Sequence, residues 1–187
     1  MRKVKLFPEQ YYHIYNRGVD DTQIFFRQRN WEFFLRRWRK YCLPEYADTI
    51  AYCLMPTHYH FFLYVKIENF GDKVMQPFLV SYTKSINNQQ GRFGPLFQGP
   101  YQARLVDTES YLSQLTRYIH LNPVVAGYVD SPADWDYSSY PEYAGLRDGT
   151  LPKMDVVLEN FADRADYIAF VEEGNQDYNT IEKWMLD

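Results

Sequence analysis

The segment Met55-Pro56-Thr57-His58-Tyr59-His60 sets two histidines two residues apart. Its flanks, 48–55 and 58–65, read as strands, and the short Pro56-Thr57 connection predicts an antiparallel hairpin. On a strand, residues i and i+2 share a face. His58 and His60 then offer side-by-side imidazoles, a bidentate platform for a metal. Taken alone, such a pair also reads as structural, and a reacting site needs a third ligand and a reacting group. A helix expected over 109–121 supplies candidates for both. Tyr118 and Asn122 are four apart, one turn from each other on one face. An asparagine amide oxygen is a ligand for hard cations, and a tyrosine can be a covalent nucleophile. The local alternative is a tyrosine packed on the sheet and an asparagine capping the helix, which Asn122-Pro123 is expected to end.

The remaining elements must position these groups. Residues 10–18 read as a strand ending at Gly18. Residues 30–43 read as an amphipathic helix, with Asn30 as its cap, Pro44 as its stop and Phe33, Phe34, Trp38 and Cys42 on its apolar side. Residues 70–90 form a second helix, with Val74, Phe78, Tyr82 and Ile86 repeating at i+4, and Gly91 and Gly94 after it. A fourth strand is expected within 96–106, bent around Gly99-Pro100. The order strand, helix, strand, strand, helix, strand, helix predicts an α+β fold with a ferredoxin-like split βαβ core. That core is an antiparallel sheet with helices on one face, to which the helix carrying Tyr118 is added. After Gly127 the chain becomes turn-rich (131–153), then an acidic helix is expected over 158–173. We read 1–130 as the core domain and 131–187 as a C-terminal extension packed on it, too short to bury much alone. Asp155, Glu159, Asp163, Asp166, Glu172, Glu173 and Asp177 cluster late. They could lie over a basic surface, or belong to a helix whose Phe161, Tyr167, Ile168, Phe170 and Val171 pack on the core; packing is the favoured reading.

Charge is distributed unevenly. Residues 1–106 carry 15 Lys/Arg against 8 Asp/Glu, a net +7, and residues 107–187 carry 5 against 16, a net −11. A basic part followed by an acidic one is compatible with nucleic-acid binding by the first. The 18 tyrosines suit half-buried surfaces and base stacking alike. Cys42 and Cys53 offer no disulfide framework and suggest buried thiols in a reducing compartment. The N-terminus lacks the apolar run of a signal peptide, and no stretch approaches the roughly 20 apolar residues needed to cross a bilayer. The expectation is a cytoplasmic protein without a membrane partner.

Four segments, in order, resemble one family: Tyr12-His13-Ile14-Tyr15-Asn16-Arg17-Gly18, the His58-Tyr59-His60 segment, Gly94-Pro95-Leu96-Phe97-Gln98-Gly99, and Arg117-Tyr118-Ile119-His120-Leu121-Asn122-Pro123-Val124. Trp135, Ser138-Ser139-Tyr140 and Tyr143-Ala144-Gly145 add to the likeness. The sequence resembles the REP-associated tyrosine transposases, a branch of the HUH (His, hydrophobic, His) single-tyrosine, IS200-like transposases. The resemblance implies a ferredoxin-like core, a metal pair at His58 and His60 with Asn122 as amide ligand, and Tyr118 as catalytic tyrosine. Tyr59 stands between the histidines as a second candidate nucleophile, and Pro100 follows Gln98-Gly99 where members often carry a basic residue.

The implied activity is cleavage and rejoining of single-stranded DNA beside a palindromic, REP-like hairpin, through a 5′-phosphotyrosine. Free tyrosine has a pKa of about 10, so a divalent cation, Mg²⁺ or Mn²⁺, is expected to polarise the phosphate. Arg17, Lys84, Arg92 and Arg104 are candidates for phosphate contacts, with Gln98 and Tyr101 near bases or sugar. The expected partner is a DNA hairpin with flanking single strand. One tyrosine per chain means that joining two ends takes two chains or two rounds, so a homodimer is one expectation. Two other readings stay open: a non-catalytic nucleic-acid-binding ferredoxin-like module, although the RNA-recognition aromatic motif is absent, and a zinc hydrolase using His58, His60 and either His120 or His13.

Overall fold

The computed structural model describes residues 5–173. Residues 1–4 and 174–187, which include Asp177 and the end of the expected extension, lie outside the described residues. The main elements are β1 (Gln10–Arg17), α1 (Arg29–Tyr41), β2 (Ala47–Leu54), β3 (His58–Val65), α2 (Gln76–Gln90), β4 (Gln102–Val106), α3 (Glu109–Val125), α4 (Tyr140–Tyr143), α5 (Asp155–Leu158) and α6 (Arg164–Glu173). The four strands form one sheet in the order β2-β3-β1-β4, with each neighbouring pair antiparallel. This is the expected split βαβ arrangement. No described helix is long and apolar enough to cross a membrane.

Strand alternation gives the sheet two unlike faces. On one face Tyr12, Ile14, Tyr59, Phe61, Leu63 and Val65 pack with Phe34 and Trp38 of α1 and Phe78, Tyr82 and Ile86 of α2. Trp38 is fully buried, stacks on Phe61 at 4.3 Å and donates its indole N–H to Thr49 Oγ1 at 2.9 Å. Truncating it to alanine should cost about 3–5 kcal/mol. On the other face α3 lies against β2 and β3. Its Leu115, Tyr118 and Ile119 share a second apolar cluster with Phe62, Val106 and residues past 130, namely Tyr140, Tyr143, Val157, Tyr167 and Val171. The late acidic helix therefore buries Tyr167 and Val171 against α3, with Phe161, Ile168 and Phe170 partly covered. It is also split: α6 starts only at Arg164, where Asp163 Oδ1 accepts from Asp166 N and Asp166 Oδ2 accepts from Ala162 N, a reciprocal cap.

Three local expectations are corrected. Asn30 does not cap α1 from outside; it is buried in the first turn. Its Oδ1 accepts from Phe26 N and Arg27 N, and its Nδ2 donates to Gln89 of α2. The fourth strand covers only Gln102–Val106. Pro95 and Pro100 have no N–H to give a ladder, and of the preceding stretch only Phe97 bridges, to Gly18. Finally, α3 runs through Pro123 to Val125. The proline sits in the last turn, and the end is closed at Gly127 (φ +70°), with Gly127 N donating to Val124 O and Tyr128 N to Pro123 O, both at 2.9 Å.

Candidate metal and tyrosine site

The β1–β3 register sets Arg17 opposite His58, Tyr15 opposite His60 and His13 opposite Phe62. All of these point to the face covered by α3. From α3, Asn122 Nδ2 donates to Tyr118 O, one turn back, at 2.9 Å. That bond turns Oδ1 away from the helix, to 3.4 Å from His58 Nε2. His58 Nδ1 is engaged by Thr57 Oγ1 at 3.0 Å. His60 Nδ1 meets His13 Nε2 at 2.9 Å, while His60 Nε2 and His13 Nδ1 are buried and meet no hydrogen-bond partner within normal geometry among the described residues. Tyr118, 2% exposed, sets its ring edge-to-face on His60 at 5.5 Å and on His13 at 6.1 Å.

This donor set fits a metal. A 3.4 Å contact is at the outer limit of a hydrogen bond. Two donors each about 2.1 Å from one ion stand roughly 3.0–3.4 Å apart. An orphaned, buried imidazole nitrogen costs free energy unless something takes it up. Burial pushes the pKa of His60 well below the ordinary value, with His58 and His13 adding to the effect and Asn122 partly offsetting it. Burial also lowers His58, partly offset by Asn122 and Asp21. Both rings are neutral at pH 7 and keep a lone pair for a cation. For His60 to present that lone pair on Nε2, its proton must be on Nδ1, donated to His13 Nε2. Burial and Arg104 bring the pKa of His13 down to about 3, so His13 is neutral and can accept.

The sequence reading missed three of these neighbours. His13 entered only as a motif letter and as a ligand for zinc, yet it braces His60. Thr57 holds His58. Asp21, paired with Arg17 at 3.7 Å, is the carboxylate whose charge reaches His58. Asp20 and Asp21 both sit at positive φ (+50° and +52°), a strained conformation common at functional loops. Only cross-strand register brings His13 to His60, and the sequence carries no signal for it beyond His13 lying on the same strand face as Tyr15.

Two alternative roles are corrected. Tyr59 points to the opposite face, is fully buried among Phe34, Phe61 and Phe97, and its pKa is raised well above the ordinary value by burial. It is no nucleophile for this site. His120 lies on the far side of α3, its Nδ1 bonded to Tyr167 Oη at 2.7 Å and its Nε2 to Ser139 Oγ at 2.8 Å. His13 Nε2 is turned to His60 Nδ1 at 2.9 Å, so in this arrangement it supports His60 and is not a third ligand beside it.

The candidate DNA contacts divide into three places. Arg17 and Gln98 are bonded to each other through side chains and, at 2.9 Å, through Gln98 N to Arg17 O, at the His58 end of β1. Lys84 and Tyr101 line a groove of about 560 Å³ between α2 and residues 94–101, and Arg92, in the turn after α2, donates to Pro95 O at 3.2 Å. Arg104 is opposite His13 on β4.

No protein-family model matches the chain. Over 117 residues it is 25% identical to a Haemophilus influenzae protein named as a REP-associated tyrosine transposase, which covers 57% of this chain. The chain spans 66% of the length of that curated relative. Its fold matches the solved structure of a REP-associated tyrosine transposase bound to a REP hairpin, with a TM-score of 0.58 at 15% identity, over 82% of this chain and 96% of the other.

Proposed function

We propose that this chain, a relative of the REP-associated tyrosine transposases in sequence and fold, is a metal-dependent enzyme that nicks and rejoins single-stranded DNA at hairpins. The observation that carries the proposal is the convergence of His58 Nε2, the orphaned His60 Nε2 and Asn122 Oδ1 beside the Tyr118 ring. Those three atoms would hold Mg²⁺ or Mn²⁺, which supplies polarisation of a scissile phosphate and offsets the charge that develops on it. His13 and Thr57 fix the orientations of the two imidazoles. Tyr118 gives up its phenol proton as its oxygen attacks the phosphorus, the bond to the 3′ oxygen breaks, that oxygen takes up a proton and leaves as a 3′-hydroxyl, and a 5′-phosphotyrosine forms. The bond energy is kept, so a 3′-hydroxyl can reverse the step and join strands. Arg17, opposite His58, and Gln98, bonded to it, would contact phosphate and sugar near that bond.

The test is Tyr118→Phe on hairpin DNA with single-stranded arms. Wild type should form a covalent protein–DNA adduct in the presence of Mg²⁺ or Mn²⁺, and the variant none, with binding retained. A persistent adduct in the variant removes Tyr118 from the chemistry. Binding without any adduct in wild type would favour the non-catalytic module.

A further inference from the structure

The connection between α2 and β4 holds a large apolar side chain with nothing over it: Phe93 is 96% exposed. It stands at the tip of Gly91-Arg92-Phe93-Gly94, where the two glycines take φ of +61° and +89°. The tip is tied down. Arg92 N donates to Asn87 O at 3.0 Å, Asn87 Nδ2 to Gly94 O at 2.8 Å, and the Arg92 guanidinium to Pro95 O at 3.2 Å. Single exposed apolar residues are ordinary, so exposure alone decides nothing. A second observation lies at the base of the tip. Asn87 Oδ1, Gln90 Nε2 and Arg92 Nη1 are shielded from solvent and find no partner among the described residues, whereas buried polar groups are as a rule bonded. The groove beside them is lined by Asn87, Gly94 and Tyr101 and carries the exposed cation Lys84. From Phe93 the chain reaches Gln98 in five residues, so the tip is within about 18 Å of it, and Gln98 is bonded to Arg17 opposite His58.

We propose that Phe93 is a stacking platform for an unpaired base of the DNA strand that leads to the His58–His60–Asn122 site, with Lys84 and Arg92 facing its phosphates and the Asn87 and Gln90 amides near the base edge. The proposal rests on the DNA reading above. A nucleotide matches each part of the surface: its π face takes the phenyl ring, its edge carries donors and acceptors, and its phosphate meets the cations. An apolar peptide would cover the ring and leave the amides and cations unanswered.

The test uses the full chain and two labelled DNAs, a hairpin with single-stranded arms and the same hairpin without arms. Phe93→Ala should weaken binding of the armed hairpin about 5- to 100-fold, the loss of one base–aromatic stack, and leave the armless hairpin unchanged. Phe93→Trp should restore affinity, and its added emission should be quenched by the armed DNA. The side chain is exposed, so the melting temperature should not move. Unchanged affinity of Phe93→Ala, or equal losses on both DNAs, overturns the stacking role. If wild type binds neither DNA, the functional reading itself fails. If it binds but forms no adduct, only the chemistry fails, and the Phe93 comparison still decides.

Discussion

If His60 holds the proposed metal through Nε2, its Nδ1 proton needs an acceptor, and His13 Nε2, 2.9 Å away on a fully buried side chain, is in place to accept it. His13→Phe keeps a ring of similar size against Tyr15, whose centroid is 4.8 Å from that of His13, but removes the nitrogen. His60 then either keeps a buried, unpaired N–H, at about 1–3 kcal/mol, or moves its proton to Nε2, the nitrogen the cation needs. Loss of such a bracing partner lowers metal affinity about 10- to 100-fold, or ~1.4–2.7 kcal/mol. Mn²⁺ titration followed by electron paramagnetic resonance measures it directly, with no DNA present, and a thermal melt separates it from unfolding. His13→Gln, which offers an amide oxygen to the same N–H, should recover most of the affinity. A folded His13→Phe protein that binds Mn²⁺ as tightly as wild type would falsify the bracing role, and so would a glutamine variant no better than phenylalanine.

The double variant His58→Ala, His60→Ala should still shift DNA in a gel, because affinity comes largely from basic contacts and falls with salt, while forming no adduct; full cleavage by this variant in EDTA would sink the metal assignment. Burial lowers the pKa of His120 from 6.5 to about 3. The unfolded chain therefore takes up a proton there that the folded chain refuses, and stability falls as pH drops from about 6.5 toward 3, by ~2 kcal/mol at pH 5. Because buried His13 adds a loss of its own over the same range, the measure is the difference: in denaturant melts between pH 7 and pH 5 a His120→Gln protein should lose less stability than wild type by about that amount, and equal losses in the two would refute it. Truncation after residue 153 removes Val157, Tyr167 and Val171, all fully buried. About 5–9 kcal/mol of burial goes with them, so the product should melt lower or aggregate, and a gain in DNA affinity at low salt in a stably folded product would contradict this.

The sheet order was legible because each strand and helix carries its own period and the connections leave few topologies. The His58–His60 pair was legible for the same reason: two residues on a strand need no tertiary information to share a face. The meeting of Asn122 with His58 could be guessed only as a helix face turned toward a strand. Its geometry depends on α3 continuing through Pro123, which local rules argue against; the Gly127 turn that closes this helix lies beyond the residues on which the expectation was built. The His13 brace was not legible, since it is set by the β1–β3 register and not by any local pattern. Phe93 is the opposite case: a loop residue carries no periodic signal, and what marks it is its exposure of 96%.

The two faces of the sheet differ in what they can tolerate. The α1/α2 face is a buried aromatic core, where a lost contact costs stability. The α3 face carries the imidazoles, and there a lost contact also costs geometry. Tyr118 and Asn122 come from one helix and His58 and His60 from another layer, so a small tilt of α3 changes the Asn122–His58 distance of 3.4 Å directly. What restrains that tilt from behind is the chain past residue 130. His120, two residues from each of the site's helix residues, is held at both ring nitrogens, by Tyr167 of α6 and by Ser139. Ser139 in turn accepts from Tyr52 N of β2 at 2.9 Å, and Tyr143 Oη donates to Ile50 O of the same strand at 3.0 Å. Helix, late segment and strand are thus bonded in one chain of neutral, buried hydrogen bonds. Such a network tolerates no unsatisfied member, so the late residues act on the site by fixing the angle of α3, without contributing an atom to it.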